Sequence, residues 1–412
     1  MAEPFGAEGL PLEEARARIL ADLAPLDRRE ELPLARALDR VCALPVRAPQ
    51  AVPGFRASIM DGYAIAGEAL ASPGQRWRLV GRSAAGLPFP RALQPGEAVR
   101  ILTGAMVPEG SGRVLPQELV QCRGEAAIEL VGSLGANPWI RSPGEECEAG
   151  EELLAAGERL GVASLARLAS CGIESLTLAA RPRLGLLVSG DELLPAGTPR
   201  GPGQIWESNS QLLRALLQRL GQSLDEVRVV ADRPESLRQA LAELAERCDV
   251  VISTGGISAG DSDWIRSLVE ELGAVSFWKL FLKPGRPFAW GHVAGTPFFG
   301  LPGNPVAAAI TALQLLWPAL QRLEGAEPQP LPRLRVQLEQ ELRRGAGRPE
   351  LARAQLRVGP GGELLARVEG SQASSRIGSL QGADLLLEIP AELGLLPAGT
   401  PLWAQLLRLP LF

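Results

Sequence analysis

The sequence predicts a multidomain α/β plus β chain, and three patterns carry that prediction. Between residues 183 and 320, short aliphatic runs alternate with segments of helical periodicity, which implies a doubly wound, mostly parallel sheet with crossover helices. Between residues 58 and 139, short strand-like runs with Gly and Pro turns stand between stretches that carry helical signals, so a β lobe is inserted in a helical segment. Beyond Pro332 only short alternating runs remain, the pattern of a compact β-barrel. At 412 residues the chain exceeds what one core serves. The patterns divide it into a helical domain from 1–48 and 140–180, an inserted lobe at 49–139, an α/β domain at 181–330 and a barrel at 331–412.

In chain order, residues 11–22 carry apolar side chains at helical spacing, with Glu13 and Glu14 in the first turn where the helix dipole favours acids. A second short helical signal covers 34–41. Residues 47–56 are Pro-punctuated and lead to Ser58-Ile59-Met60-Asp61-Gly62-Tyr63, an Asp-Gly turn that presents Asp61 ahead of an alternating strand. The lobe takes strands at 76–80, 98–102, 114–120 and 127–131, and helical signals return at 151–154 and 162–170. In the α/β domain a strand at 184–188 runs into Ser189-Gly190-Asp191-Glu192. Ser208 is placed to cap a helix reaching Leu220, a strand at 227–230 ends near Asp232, and Pro234 opens the next helix. The barrel takes strands at 334–338, 352–358, 363–368, 384–389 and 402–407.

The richest stretch is 249–305. A β-branched strand at 250–253 breaks into Gly255, Gly256, Ser258 and Gly260, then into Asp261 and Asp263 ahead of a helix. Glycines let main-chain N–H groups approach an anion, and neighbouring carboxylates can hold a hard cation, so this is a candidate phosphate and Mg2+ site. Alone, such a loop is also an ordinary strand-to-helix turn. In open α/β sheets ligands bind beyond the carboxyl ends of the strands, and Asp191, Glu192, Asp232, Gly255, Gly256 and Asp263 all fall there. Acids gathered at one edge repel a phosphate unless a divalent cation intervenes; helix capping accounts for Asp261 better than for Glu192. Of the 42 basic residues only Lys279 and Lys283 are lysine. A compact ammonium suits a small tetrahedral oxyanion better than the rigid guanidinium fork. Asn137, Asn209 and Asn304 are the only asparagines and Tyr63 the only tyrosine.

Composition excludes several classes. The net charge of −5 is spread without a basic block, which argues against nucleic acid. Five cysteines, none in C-x-x-C spacing, argue against zinc or a disulfide framework and read as small buried hydrophobes. The N-terminus lacks a signal-peptide pattern and no run approaches the ~18 apolar residues of a membrane span, so a cytoplasmic protein is expected. His292, the sole histidine, reads as structural.

Ser-Ile-Met-Asp-Gly-Tyr-Ala, Arg-Ile-Leu-Thr-Gly-Ala, Ser-Gly-Asp-Glu-Leu, Ser-Thr-Gly-Gly-Ile-Ser-Ala-Gly-Asp, Lys-Pro-Gly and Leu-Pro-Gly-Asn-Pro occur in one order. With them the chain resembles the molybdopterin molybdenumtransferase family (MoeA and the gephyrin E domain) over nearly its whole length. The resemblance implies an L-shaped homodimer with four domains per subunit, its α/β domain MogA-like. The implied reaction joins adenylylated molybdopterin with molybdate in the presence of Mg2+, releases AMP and forms molybdenum cofactor.

By the same resemblance Glu192, Asp232 and Asp263 match the metal-holding and catalytic acids, and Lys279 and Lys283 match cations near the pterin phosphate and molybdate. Ser189, Gly190, Gly255, Gly256, Ser258 and Gly260 match the phosphate loops, and Pro302, Gly303, Asn304 and Pro305 match a shape-setting turn. Asp61 and Thr103 match lobe residues that face the other subunit's α/β domain. Arg286, Arg353 and Ser375 are assigned to the oxyanion, with Arg348, Ser371 and Ser374 as alternatives in a hydroxyl-rich stretch that is equally ordinary as a solvated turn.

Three positions depart from the family pattern: Arg286 where Lys is frequent, Glu146 where Gly-Glu-Asp is usual, and Gly112 where Asp commonly precedes a strand. The first puts the oxyanion contact at 286 in doubt, because a planar fork replaces an ammonium. Implied partners are a molybdopterin adenylyltransferase and molybdoenzymes or their chaperones. Two rivals are a molybdopterin adenylyltransferase, against which the extra domains argue, and a dimeric scaffold, which would not need the acids and lysines.

Overall fold

The computed structural model describes residues 9–67, 71–257, 264–368 and 370–408. Its centre is a six-stranded sheet in the order Leu224–Val230, Leu184–Ser189, Val250–Thr254, Thr296–Leu301, Pro287–Val293, Gly273–Lys279. The first four strands are parallel, as the strand–helix alternation predicts, and the last two form an antiparallel edge. Leu184–Ser189 and Val250–Thr254 are buried throughout because both faces are covered. Leu186, Val188, Val250 and Ile252 point to one apolar core, while Leu187 and Val251 point to the other. Helix Asn209–Arg219 and the continuous helix Pro305–Leu323 fill the first; Pro234–Arg247 and Trp264–Leu272 fill the second.

The helix Leu12–Asp22 forms as predicted, but it does not join residues 140–180. Its buried Ala15 and Ile19 belong to the α/β core, packed on the second half of Pro305–Leu323. A specific polar contact fixes it there. Pro318 has no N–H to offer the carbonyl four residues back, a π-turn forms at Ala312–Leu316, and the Gln314 carbonyl accepts from Arg16 Nε at 3.0 Å. The helix Pro305–Leu323 also corrects the reading that no run approaches the length of a membrane span. It has a mean hydropathy of 1.2 over its apolar window, yet 83% of that window is buried inside the protein.

A separate small core is built from short strand pairs, Arg29–Pro33 with Ser175–Ala179 and Val46–Arg47 with Glu152–Leu154, around helix Val162–Ser170. Residues 151–154, expected as helix, are thus strand. Four residues cannot sustain a helix without packing, and pairing with Val46–Arg47 buries Leu153 and Leu154. The helical signal at 34–41 shrinks to a single 3-10 turn, Leu34–Arg36, capped by Ala37, and Asp39 at φ +60° keeps the chain from continuing as helix.

The lobe is a six-stranded sheet of mainly antiparallel strands; three of its expected segments are strands, while the one expected at 114–120 is broken by a 3-10 turn at Gln117–Leu119 between the strands Ser111–Pro116 and Val120–Cys122. Gly62 is required where it stands: a Cβ there would lie 2.0 Å from the Leu115 carbonyl oxygen. The barrel is closed, in the order Arg333–Leu338, Leu364–Arg367, Glu350–Val358, Leu385–Ile389, Pro401–Leu406. All five cysteines are free and four are buried; burial pushes the Cys42 and Cys248 thiols up to about 11. His292 sits on the antiparallel edge, 5.4 Å ring to ring from Trp290.

Candidate functional site

A cleft of about 860 Å3 opens where the carboxyl ends of Leu184–Ser189, Val250–Thr254 and Thr296–Leu301 meet loops of the barrel. Its floor is backbone. After Thr254 the chain turns through Gly255 at φ +91° and Gly256 at φ +61°, and a Cβ at Gly255 would lie 2.5 Å from the Ser189 carbonyl oxygen. Only glycine fits that approach. Ser189, Gly190, Gly255, Gly256, Pro302, Gly303 and Asn304 all line the cleft. The Asn304 side chain makes no capping bond to the helix beginning at Pro305; the Val306 N–H donates to the Ser374 carbonyl at 3.1 Å, and Ala307 lines the cleft.

Two residues that sequence reasoning did not select hold this floor together. Asn209 Nδ2 donates to Thr254 Oγ1 at 2.8 Å and to the Gly303 carbonyl at 2.8 Å, and Thr254 Oγ1 donates to the Pro302 carbonyl at 3.0 Å. Both side chains are buried. The scarcity of asparagine was the available signal for Asn209, and Thr254 stood within the Ser-Thr-Gly-Gly motif without a role of its own. Ser208 does not cap the helix with its side chain. The Glu207 carboxylate does so, accepting from the Ser210 N–H at 2.8 Å and from the Ser210 hydroxyl.

Glu192 and Asp232 line the same cleft. Burial pushes the Asp232 carboxyl above its ordinary value and the charges of Asp191 and Glu192 add to that. Asp191 Oδ1 in turn accepts from the Asp232 N–H at 3.1 Å. Ser258, Gly260 and Asp263 lie outside the described residues. Among the described residues no group of three or more His, Cys, Asp or Glu is placed to hold a metal. Two carboxylates facing one cleft, one of them destabilised by its neighbours, nonetheless fit Mg2+. That ion takes one or two carboxylates and completes its shell with water and substrate phosphate.

Lys283, Arg286, Arg348, Ser374 and Ser375 bring donors to the cleft. Arg353, assigned to the oxyanion, does not line it. It is 2% exposed, its Nε donates to Ser379 Oγ at 3.1 Å and its Nη2 to the Ala373 carbonyl at 3.3 Å, so it props up the loop that carries Ser374 and Ser375. Arg348 takes the position at the cleft, and Ser371 stays outside it. Lys279 lies at the end of the antiparallel edge strand opposite Pro287 and is not among the lining residues. Asp61 and Thr103 are joined, the Thr103 N–H and hydroxyl both donating to Asp61 Oδ1 at 2.7 and 2.8 Å, but on the lobe and apart from this cleft within the chain. The Thr103 backbone bond, then its hydroxyl, holds the Asp61 carboxyl below the usual range.

Three family descriptions match the chain in order: the MoeA N-terminal region (domain I and II) over residues 10–172, a probable molybdopterin binding domain over 185–322, and the MoeA C-terminal region (domain IV) over 335–407. The chain is 33% identical over 391 residues to the molybdopterin molybdenumtransferase of Haemophilus influenzae, a match covering 95% of this chain and 96% of that one. The chain belongs to the MoeA family. It is also 31% identical over 395 residues to molybdopterin molybdenumtransferase 2 of Mycobacterium tuberculosis, covering 93% of this chain and 96% of that one. A molybdopterin biosynthesis MoeA protein from Pyrococcus horikoshii superposes with a TM-score of 0.78 at 29% identity, covering 97% of this chain and 99% of its own. In this MoeA chain the probable molybdopterin binding match spans the sheet whose strand ends build the cleft.

Proposed function

We propose that the protein inserts molybdate into adenylylated molybdopterin, with Mg2+, releasing AMP and forming molybdenum cofactor. Its family is that of the molybdopterin molybdenumtransferases, which makes it a transferase of molybdenum cofactor biosynthesis. The observation that carries the finer reading is one cleft in which a backbone floor for phosphate, two carboxylates and the cations Lys283, Arg286 and Arg348 converge.

Each group has a role its chemistry suits. The backbone around Gly255 and Gly256 binds the phosphates. Lys283, Arg286 and Arg348 draw the molybdate dianion to a fixed place, and Ser374 and Ser375 offer it hydroxyl donors. Glu192 and Asp232, with Asp263 from the sequence, would hold Mg2+, which neutralises charge on the phosphoanhydride when bound.

The Asp61–Thr103 pair points to a homodimer in which one subunit's lobe completes the other's cleft, because the pair is preorganised yet lies away from the cleft of its own chain. The same reading makes the protein cytoplasmic, with a molybdopterin adenylyltransferase before it and molybdoenzymes or their chaperones after it. Purified protein with adenylylated molybdopterin and Mg2+ is expected to release AMP only when molybdate is present, and to yield metal-loaded cofactor. Adenylylation of molybdopterin from ATP instead, or neither reaction, would overturn the proposal.

A further inference from the structure

We propose that Glu350, a barrel residue with no assigned role, is a positioning residue that holds the Lys283 ammonium in place for the oxyanion. The inference rests on the reading of Lys283 as an anion-binding cation of the transfer reaction. Lys283 Nζ stands 3.1 Å from Glu350 Oε1 and 3.2 Å from Oε2, so both carboxylate oxygens grip it. The two partners differ in exposure: the lysine side chain is 41% exposed toward the cleft, whereas Glu350 is 3% exposed. A long lysine stem left to itself samples many rotamers; one anchored to a buried carboxylate does not.

The grip is part of a larger strap. The Lys283 N–H donates to the Pro349 carbonyl at 2.9 Å and the Leu351 N–H donates to the Lys283 carbonyl at 2.8 Å, so the barrel strand is stitched to the α/β loop on both sides of Glu350. On its other side Glu350 Oε2 lies 3.5 Å from Arg344 Nε, whose side chain is 5% exposed. Arg344 Nη2 donates to the carbonyl of Arg348, the arginine that lines the cleft. One buried carboxylate therefore links the two cations that come to the cleft from different domains. It also sits between two positive charges and cancels only one, leaving net positive charge for a dianion.

These two effects oppose each other, which makes the proposal testable. Losing the anchor lets the ammonium wander and slows turnover, while losing the negative charge does not weaken attraction for molybdate. Glu350→Gln leaves Arg344 buried without its counter-charge and can cost stability. Glu350→Asp keeps a negative charge beside Arg344 but withdraws the carboxylate from its partners, Lys283 included, by about 1.5 Å, one C–C bond. The chain has only two lysines, so protein labelled with [ε-15N]lysine gives two side-chain ammonium signals, assigned by Lys279→Arg.

In both Glu350 variants the Lys283 signal is expected to move to the solvated position and exchange faster, with the Lys279 signal unmoved. In kinetics, kcat is expected to fall at least about tenfold with no rise in the KM for molybdate, more severely in Gln than in Asp. An unmoved Lys283 signal, a kcat within about twofold of the parent, or a loss that only tracks the folded fraction would overturn the proposal. If the parent shows no molybdate-dependent AMP release, the transfer reading has failed. The ammonium spectra then still decide whether Glu350 holds Lys283.

Discussion

The Asn209–Thr254 clamp allows a prediction whose size follows from its bonds. Asn209→Ala removes two buried hydrogen bonds and leaves the Gly303 carbonyl without that donor. Two bonds at about 1 kcal/mol each, plus about 1 kcal/mol for the stranded carbonyl, come to about 3 kcal/mol. Against this, Asn209 Oδ1 is buried without a partner in the parent, and removing it returns about 1 kcal/mol. The net destabilisation of the α/β domain is about 2 kcal/mol. Thr254→Val loses the bond to the Pro302 carbonyl and the bond from Asn209 and strands that carbonyl, about 3 kcal/mol by the same count. The Asn209–Thr254 bond is counted in both single variants, so the double variant should fall short of their sum by about 1 kcal/mol. Urea unfolding followed at the domain level measures this, and AMP release should drop about a hundredfold in either variant as the turn at 302–304 loosens. Additivity within about 0.3 kcal/mol, or a loosened floor with full activity, would refute the clamp.

Three further outcomes are expected. Gly255→Ala should cut AMP release at least about tenfold, because it adds a backbone collision to the ~1–2 kcal/mol of left-handed strain; Gly295→Ala, at φ +83° with open space around its Cβ, carries the same strain and should leave activity unchanged. The Asp232 carboxyl is raised in the folded state, so its contribution to stability is fully present below the unfolded value of about 3.9 and is lost as pH rises through the folded one. Mg2+ relieves the charged form, so it should raise the melting temperature more at pH 7 than at pH 4, and Asp232→Asn should erase that difference; equal shifts at both pH values would exclude Asp232 from the metal. Asp61→Asn and Lys283→Ala proteins should each be inactive as homodimers, yet regain about a quarter of parent activity when unfolded together and refolded. Half the dimers are then mixed and each holds one intact site. No recovery would mean that the lobe does not serve the other subunit.

Much of this molecule was legible because its signals are local. The strand Val250–Thr254, its glycine turn, Pro234 at a helix start and the five barrel strands each follow from residues within one short window. The errors share a cause. Residues 151–154 were given a helix because four residues fix no period, and their pairing with Val46–Arg47 comes from more than a hundred positions away. Arg353 was given to the cleft by resemblance, because an arginine looks the same in sequence whether its guanidinium faces ligand or props a loop from within.

By itself the sequence determined the order of domains, the doubly wound centre, the glycine floor at 255–256 and the acids at strand ends. Backbone geometry and side-chain chemistry act there over a few residues, so composition and spacing suffice. Tertiary structure alone decided that the first helix belongs to the α/β core, that Arg348 rather than Arg353 reaches the cleft, and that Asn209, Thr254 and Glu350 stand behind the groups that face it. Those contacts join residues 45 to 298 positions apart, and they hold because burial makes an unpaired polar group costly. No local pattern records which distant partner will meet that need.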